Sequence, residues 1–304
     1  MKSTFLKLHL AVLIGSATGL FGKLISMHAL PLSFWRTAIA AAVIAIILFF
    51  RKAIHKVNLK DFLKMAVAGA FIALHWVFFY ASIKASNISV GVICYSLLGF
   101  FTAFLEPIIN KKPFSYRDFF YSLLTVAGIL LIFQLDTQFR LGIILGVIST
   151  FLASFYSIIS KKLDARKICS SSSLLMHELT GGTVVLLAGC LGYGYWHQEI
   201  TFIPDNLMDV TMLFLLALVC TAFMYFLILQ VLKDVSAFTV GLTYNLEPVY
   251  SIIFAVLFFG ESKELGIAFY SGLTLIILSV GLQTLDVIRK GKPARQTERI
   301  EPHD

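Results

Sequence analysis

The sequence predicts an all-α integral membrane protein of ten transmembrane helices, arranged as two inverted five-helix repeats. Three observations carry that expectation. Hydrophobic residues make up 58% of the chain and charged residues only 14%, a balance that a water-facing surface does not tolerate. Ten apolar runs approach the ~20 residues that a spanning helix needs. Finally, "ALHWVFFYASIKASNISVGV" from Ala73 lines up with "AFMYFLILQVLKDVSAFTVGL" from Ala222, matching Trp76 to Tyr225 and Lys84 to Lys233 at constant offset. One residue of slip then brings Val90-Gly91 onto Val240-Gly241. The third and fourth runs thus repeat as the eighth and ninth, and because five is odd the second half must lie upside down.

In order, the runs are 5–25, 32–50, 62–81, 88–109, 116–134, 140–160, 171–193, 209–231, 237–259 and 265–287. The first, in "MKSTFLKLHLAVLIGSATGLFGK", imitates a signal peptide. Since nine more runs need the membrane, it reads as an uncleaved first span. The second carries Arg36, and the third His75 and Trp76. The fourth follows Asn87-Ile88-Ser89, a glycosylation triplet too close to a span to be used, and ends in Glu106-Pro107. The seventh places Glu178 two turns inside, and the ninth holds Tyr244, Asn245, Glu247 and Pro248. Repeat boundaries follow: residues 1–136 and 137–288 are the two halves, and 289–304 is a disordered cytoplasmic tail. Glycines 15, 19, 22, 69, 181, 182, 272 and 281 are read as close helix contacts.

Positive charge resists translocation, so Lys and Arg orient the spans. With the N-terminus inside, the inner segments hold Lys2, Lys7, Arg51, Lys52, Lys56, Lys60, Lys111, Lys112, Arg117, Lys161, Lys162, Arg166, Lys167, Lys233 and the basic tail. The outer loops hold only Lys84, Arg140 and Lys263. The expectation is a multi-pass protein of the cell (inner or plasma) membrane with both termini cytoplasmic. The net charge of +8 is accounted for by orientation and anionic lipid, leaving no case for nucleic acid. Cys94, Cys169, Cys190 and Cys220 show no CxxC spacing, so neither a metal site nor a disulfide framework is indicated.

"SIKASNISVGV", "VLKDVSAFTVGL" and "LEPVYSIIFAVLFFGES", set in two five-span halves, resemble the drug/metabolite transporter superfamily of EamA type. The resemblance covers residues 5–287. It implies a secondary transporter, most members exporting amino acids and other small metabolites, with sugar-phosphate and nucleotide-sugar carriers as distant relatives. The first half departs from the family pattern: where a proline commonly stands near the middle of the fourth span, this chain reads "CYSLLGFF". Pro107 comes later, so the two Glu-Pro pairs are not equivalent.

A charge at the bilayer centre costs at least about 2.5 to 3.5 kcal/mol on insertion scales, so each one needs a reason. Lys23 and Arg36 lie near the outer ends of their spans, where long stems snorkel to the head groups or line a vestibule that attracts an anion. Glu178 faces a cavity or bonds between helices. His177-Glu178 begins like HExxH, but position 181 is Gly, which removes the zinc-protease reading. His75 beside Trp76 contacts substrate, relays protons or makes a helix-helix hydrogen bond. Glu106 forms an interfacial ion pair near Lys111. Pro248 removes the N–H that the Tyr244 carbonyl needs, kinking the helix at Glu247 and Asn245; Pro107 is a second kink. A titratable acid beside an opened helix suits binding or proton coupling.

The chain is therefore expected to be a secondary transporter working by alternating access, exporting amino acids or other small metabolites and coupled to protons. It carries no nucleotide-binding loop, cofactor or catalytic constellation, so an enzymatic role is not expected. An intramembrane enzyme and a non-transporting sensor or assembly protein are the alternatives. The expected partners are the small-molecule substrate, protons, membrane lipid and, as a candidate, a second copy of the chain in a homodimer.

Overall fold

Apolar side chains drive the runs into lipid, where each backbone N–H and C=O must be satisfied within its own segment, so the runs become helices. In the computed structural model all the described secondary structure is helical. The structure describes residues 2–111, 113–114, 116–135, 137–196, 201–231, 234, 240, 243–244 and 246–290. Asn245, Lys112, Lys233, residues 197–200 and those from 291 on lie outside the described residues.

Helices α1 (Lys2–Ser16) and α2 (Thr18–Leu24) form the first run, followed by α3 (Ala29–Phe50) and α4 (Leu59–Ala85). The fourth run is α5 (Ile88–Tyr95) and α6 (Leu98–Asn110), and α7 (Tyr116–Leu135) closes the first half. Then come α8 (Arg140–Asp164), α9 (Ser171–Trp196) and α10 (Leu207–Ala217), the last continuing through a π-helical turn, Leu218–Phe223, into α11 (Met224–Val231). Helices α12 (Glu247–Phe259) and α13 (Ile267–Lys290) end the described chain. Seven segments are long and apolar enough to cross a membrane, and Phe119–Gln134, Glu247–Phe259 and Ile267–Leu282 are shorter apolar helices. The chain is a multi-pass membrane protein.

Local chemistry sets several helix starts. Asn58, Asn87 and Asn206 each accept the N–H of the residue three positions on, at 2.8, 2.9 and 2.8 Å, which satisfies a donor that a helix terminus orphans. Asn87 is thus a buried cap of α5. Uninterrupted first, fourth and eighth spans were expected. Instead the first breaks at Ala17, the fourth at Ser96-Leu97 and the eighth at its π turn.

Close crossings bring the helices together. A Cβ on Gly69 would collide with the Glu178 carbonyl, and one on Gly181 with Ala66, so α4 and α9 meet backbone to backbone. Gly128 of α7 and Gly272 of α13 approach each other in the same way, whereas a Cβ on Gly281 would meet no other described residue within 4 Å. Without a hydrophobic driving force in lipid, such close packing is what holds helices together. Ends are pinned by polar contacts. At the end carrying the N-terminus, Thr4 donates to Asp234 (3.0 Å) and Lys7 to Gln230 (2.7 Å). At the other end, Ser26 donates to Asp209 through its backbone N–H (3.0 Å) and its hydroxyl.

Candidate functional site

The places where helices lose regularity are far apart in sequence and come together in space. Gly15, Thr18 and Gly19 flank the α1–α2 break, Tyr95 ends α5, Met224 and Tyr225 follow the π turn, and Tyr244 and Glu247 flank the break before α12. All of them line one cavity of about 170 Å³. Arg36 of α3 and His75, Trp76 and Phe79 of α4 complete its wall. Irregular backbone at membrane depth is tolerated where it is covered by protein or lines a cavity, and π turns recur at functional sites.

The covering is explicit. Breaking the first run frees the Ser16 carbonyl, and Ser251 Oγ of α12 donates to it at 2.9 Å. Between α5 and α6 the Cys94 carbonyl accepts from Thr150 Oγ1 of α8 at 3.0 Å. Inside the π turn Thr221 Oγ1 donates to the Leu216 carbonyl at 3.3 Å. Hydroxyl side chains thus give the carbonyls at these irregular turns an additional donor.

Arg36 does not snorkel. It is 2% exposed, with Nε donating to Thr221 Oγ1 (3.0 Å) and Nη1 to the Tyr80 hydroxyl (2.6 Å). Its guanidinium carbon lies 3.9 Å from the centroid of the Trp76 ring, a cation–π contact. Two other helices hold the side chain inward, and that overrides the pull of the head groups expected from its place near the helix start. Both hydrogen bonds go to neutral acceptors. Among the described residues no acid stands within ion-pair distance of Arg36, and a buried cation without a counter-ion is costly.

Glu247 opens α12, and Pro248 follows it in the first turn, where a missing N–H costs nothing. The kink expected at Pro248 is a break at Leu246, with a new helix starting beyond it. A Cβ on Gly15 would lie 3.6 Å from Glu247 Oε1, so the carboxyl group rests against α1. The Tyr244 hydroxyl is buried with no partner among the described residues, which a cavity ligand can remedy. His75 Nδ1 meets the Ser149 carbonyl at 3.0 Å and the Ser149 hydroxyl at 2.8 Å. A helix-helix bond therefore fixes the ring, and a ligand can be met only by Nε2.

Other expected residues lie elsewhere. Glu178 is 1% exposed and stands behind the cavity wall, where Tyr156 donates to its Oε2 at 3.2 Å. Lys23 is exposed near the end of α2. Glu106 pairs with Lys161 of α8 at 3.6 Å, a partner from another helix in place of the expected neighbour Lys111, and Pro107 sits inside α6. Asn245 lies outside the described residues. Sequence reasoning missed Tyr80, Tyr95, Thr221 and Tyr225 as site residues. Only Tyr225 carried a signal, as the repeat counterpart of Trp76.

The profile of the EamA-like transporter family matches residues 3–134 and 140–285. The chain belongs to that family. An uncharacterized transporter of Archaeoglobus fulgidus is 23% identical over 290 residues, covering 92% of this chain and 96% of its own. A protein of known crystal structure superposes with a TM-score of 0.61 at 15% identity, covering 95% of this chain and 99% of its own, which supports the fold. This EamA-like protein is a membrane transporter, and its cavity is the place where irregular helices, a buried cation and an acid converge.

Proposed function

We propose that the chain is a proton-coupled secondary transporter that exports small carboxylate-bearing metabolites, amino acids being the first class to test, by alternating access of two inverted five-helix halves. The observation that carries this reading is one cavity lined by Arg36, which has no acidic partner among the described residues, and by Glu247 at a helix break. Arg36 offers the substrate carboxylate a desolvated, pre-oriented donor set, and Trp76 and Tyr95 offer apolar faces. Glu247 accepts the coupling proton, and the break beside it lets the wall rearrange.

The contacts between helices support the inverted repeat. Exchanging the halves turns the α4–α8 contact into α11–α1, α4–α9 into α10–α3, and α5–α8 into α12–α1, and each of these pairs is in contact. The contacts α3–α9, α7–α13 and α5–α12 map onto themselves, as a pseudo-two-fold axis requires. On this reading all ten apolar runs span the bilayer with both termini in the cytoplasm, an orientation that the bias of Lys and Arg among the loops supports.

The test is flux of a panel of labelled amino acids, with their amides as controls, in proteoliposomes of wild type, Glu247→Gln and Arg36→Gln. A carried substrate should lose its preference over its amide in Arg36→Gln. Glu247→Gln should lose accumulation driven by a proton gradient while keeping substrate exchange. Accumulation at wild-type rate by Glu247→Gln would remove Glu247 as the proton carrier.

A further inference from the structure

Glu178 is a carboxyl group that the cavity does not use. It sits at the α4–α9 crossing, where its own backbone carbonyl presses on Gly69, and it is 1% exposed. Oε2 accepts from Tyr156, the Ser160 hydroxyl also faces the carboxyl group, and Oε1 is buried with no hydrogen bond within 3.5 Å among the described residues. A purely structural bond to the Tyr156 and Ser160 hydroxyls needs only acceptor oxygen, which an amide supplies without the cost of a carboxylate at membrane depth. A buried polar atom without a partner asks for another explanation. Tyr156 and Ser160 of α8 bond to Glu178, and Asp164 of α8, Tyr225 of α11 and Cys169 before α9 are near enough to interact with it electrostatically. None of them is a cation.

The same tyrosines lead to the cavity. Tyr156 interacts through its hydroxyl with Tyr225, and Tyr225 lines the cavity. A hydroxyl is at once donor and acceptor, and its hydrogen can rotate between partners. We propose that Glu178 is a second proton-carrying group of the transporter, exchanging its proton with the central cavity through the hydroxyls of Tyr156 and Tyr225. In the loading direction, Tyr225 takes a proton from the cavity and passes its own to Tyr156, and Tyr156 passes its own to Glu178 Oε2. Each tyrosine ends with the proton count it began with, and the carboxylate becomes a carboxylic acid. The inference rests on the reading of the cavity as a proton-coupled path, yet it makes a claim about Glu178 that can be measured without substrate.

Infrared spectroscopy of the purified full chain reads it directly. Wild type should show a carboxylic-acid C=O band that grows as pH is lowered, shifts in heavy water and is absent in Glu178→Gln. Glu178→Asp should move the band without removing it, which covers the case of a Gln variant that fails to fold. Tyr156→Phe and Tyr225→Phe should keep the band but slow its deuteration by about tenfold or more, the rate equivalent of losing one hydrogen-bonded step. A band set unchanged in both Glu178→Gln and Glu178→Asp at every pH overturns the proposal, as does wild-type deuteration in Tyr156→Phe. A protein that failed to transport while passing these tests would overturn the function above and leave Glu178 as a proton site.

Discussion

Two interrupted segments pack against each other, α5–α6 and the segment that resumes as α12, and they are broken by different means. Before α12 the cause is covalent, since Pro248 has no N–H to give the Tyr244 carbonyl. Between α5 and α6 there is no proline. There the Thr150 hydroxyl, shared with the Gly146 carbonyl of its own helix at 2.9 Å, donates to the Cys94 carbonyl at 3.0 Å, and Leu97 N–H bonds the same oxygen at 3.1 Å, a tightened turn that ends the helix. Gly146, whose Cβ would collide with the Cys94 side chain, lets α8 come close enough. One break is encoded in its own residue and the other is imposed by a neighbouring helix.

If the proline break sets the site, healing it should have the largest effect. Pro248→Ala restores a donor for the Tyr244 carbonyl, and a continuous helix would swing Glu247 and Tyr244 away from their present places. Transport of the best wild-type substrate should fall about 100-fold, the scale of a misplaced catalytic or binding group, with expression and Tm retained. Wild-type flux in Pro248→Ala would show that the site does not depend on the break.

The two segments are also joined at one end, and unevenly. Glu261, just past α12 and 1% exposed, accepts the Ile88 and Ser89 N–H groups at 2.8 and 2.9 Å and so caps α5 from the other half of the chain. Glu261→Ala should cost about 2–4 kcal/mol, because it orphans two buried donors that a carboxylate had satisfied; Glu261→Gln should cost less. Thermal unfolding in detergent checks both, and equal Tm values for wild type and Glu261→Ala would show that the cap carries no stability. Thr150→Val comes next, at about 1–2 kcal/mol for one lost hydroxyl bond, with a transport loss smaller than that of Pro248→Ala. Should Thr150→Val match wild type in both, the α5–α6 break stands without its outside partner.

This contrast also explains what was legible in the sequence. Glu247 and Pro248 stood out because a carboxylate and a helix breaker in an apolar run are anomalous on their face. The helical runs were equally local signals. Thr150 carried no such mark, since a threonine in an apolar helix is ordinary until one knows which carbonyl lies opposite. For Arg36, distance to a helix end left snorkelling and the lining of an outer vestibule both open, while its place is decided by Trp76, Tyr80 and Thr221 from two other helices. Tyr95 and Tyr225 were hidden among many aromatic residues. What the sequence withheld was in each case a partner distant along the chain.

The smallest effect concerns the turn that delivers Glu261 to α5. Gly260 ends α12 in the left-handed region, at φ 65°, with its N–H on the Val256 carbonyl at 3.1 Å. A Cβ there would meet nothing within 4 Å, so the cost of Gly260→Ala is backbone strain alone, about 1 kcal/mol. Gly260→Asn should cost less, because asparagine tolerates this conformation. Neither change removes the carboxylate, so both should lower Tm by less than Glu261→Ala and leave transport near wild type. If Gly260→Ala proved as damaging as Glu261→Ala and Gly260→Asn restored the loss, the left-handed turn would be what holds the clasp. The two halves would then be joined by backbone geometry, with the carboxylate following where the turn puts it.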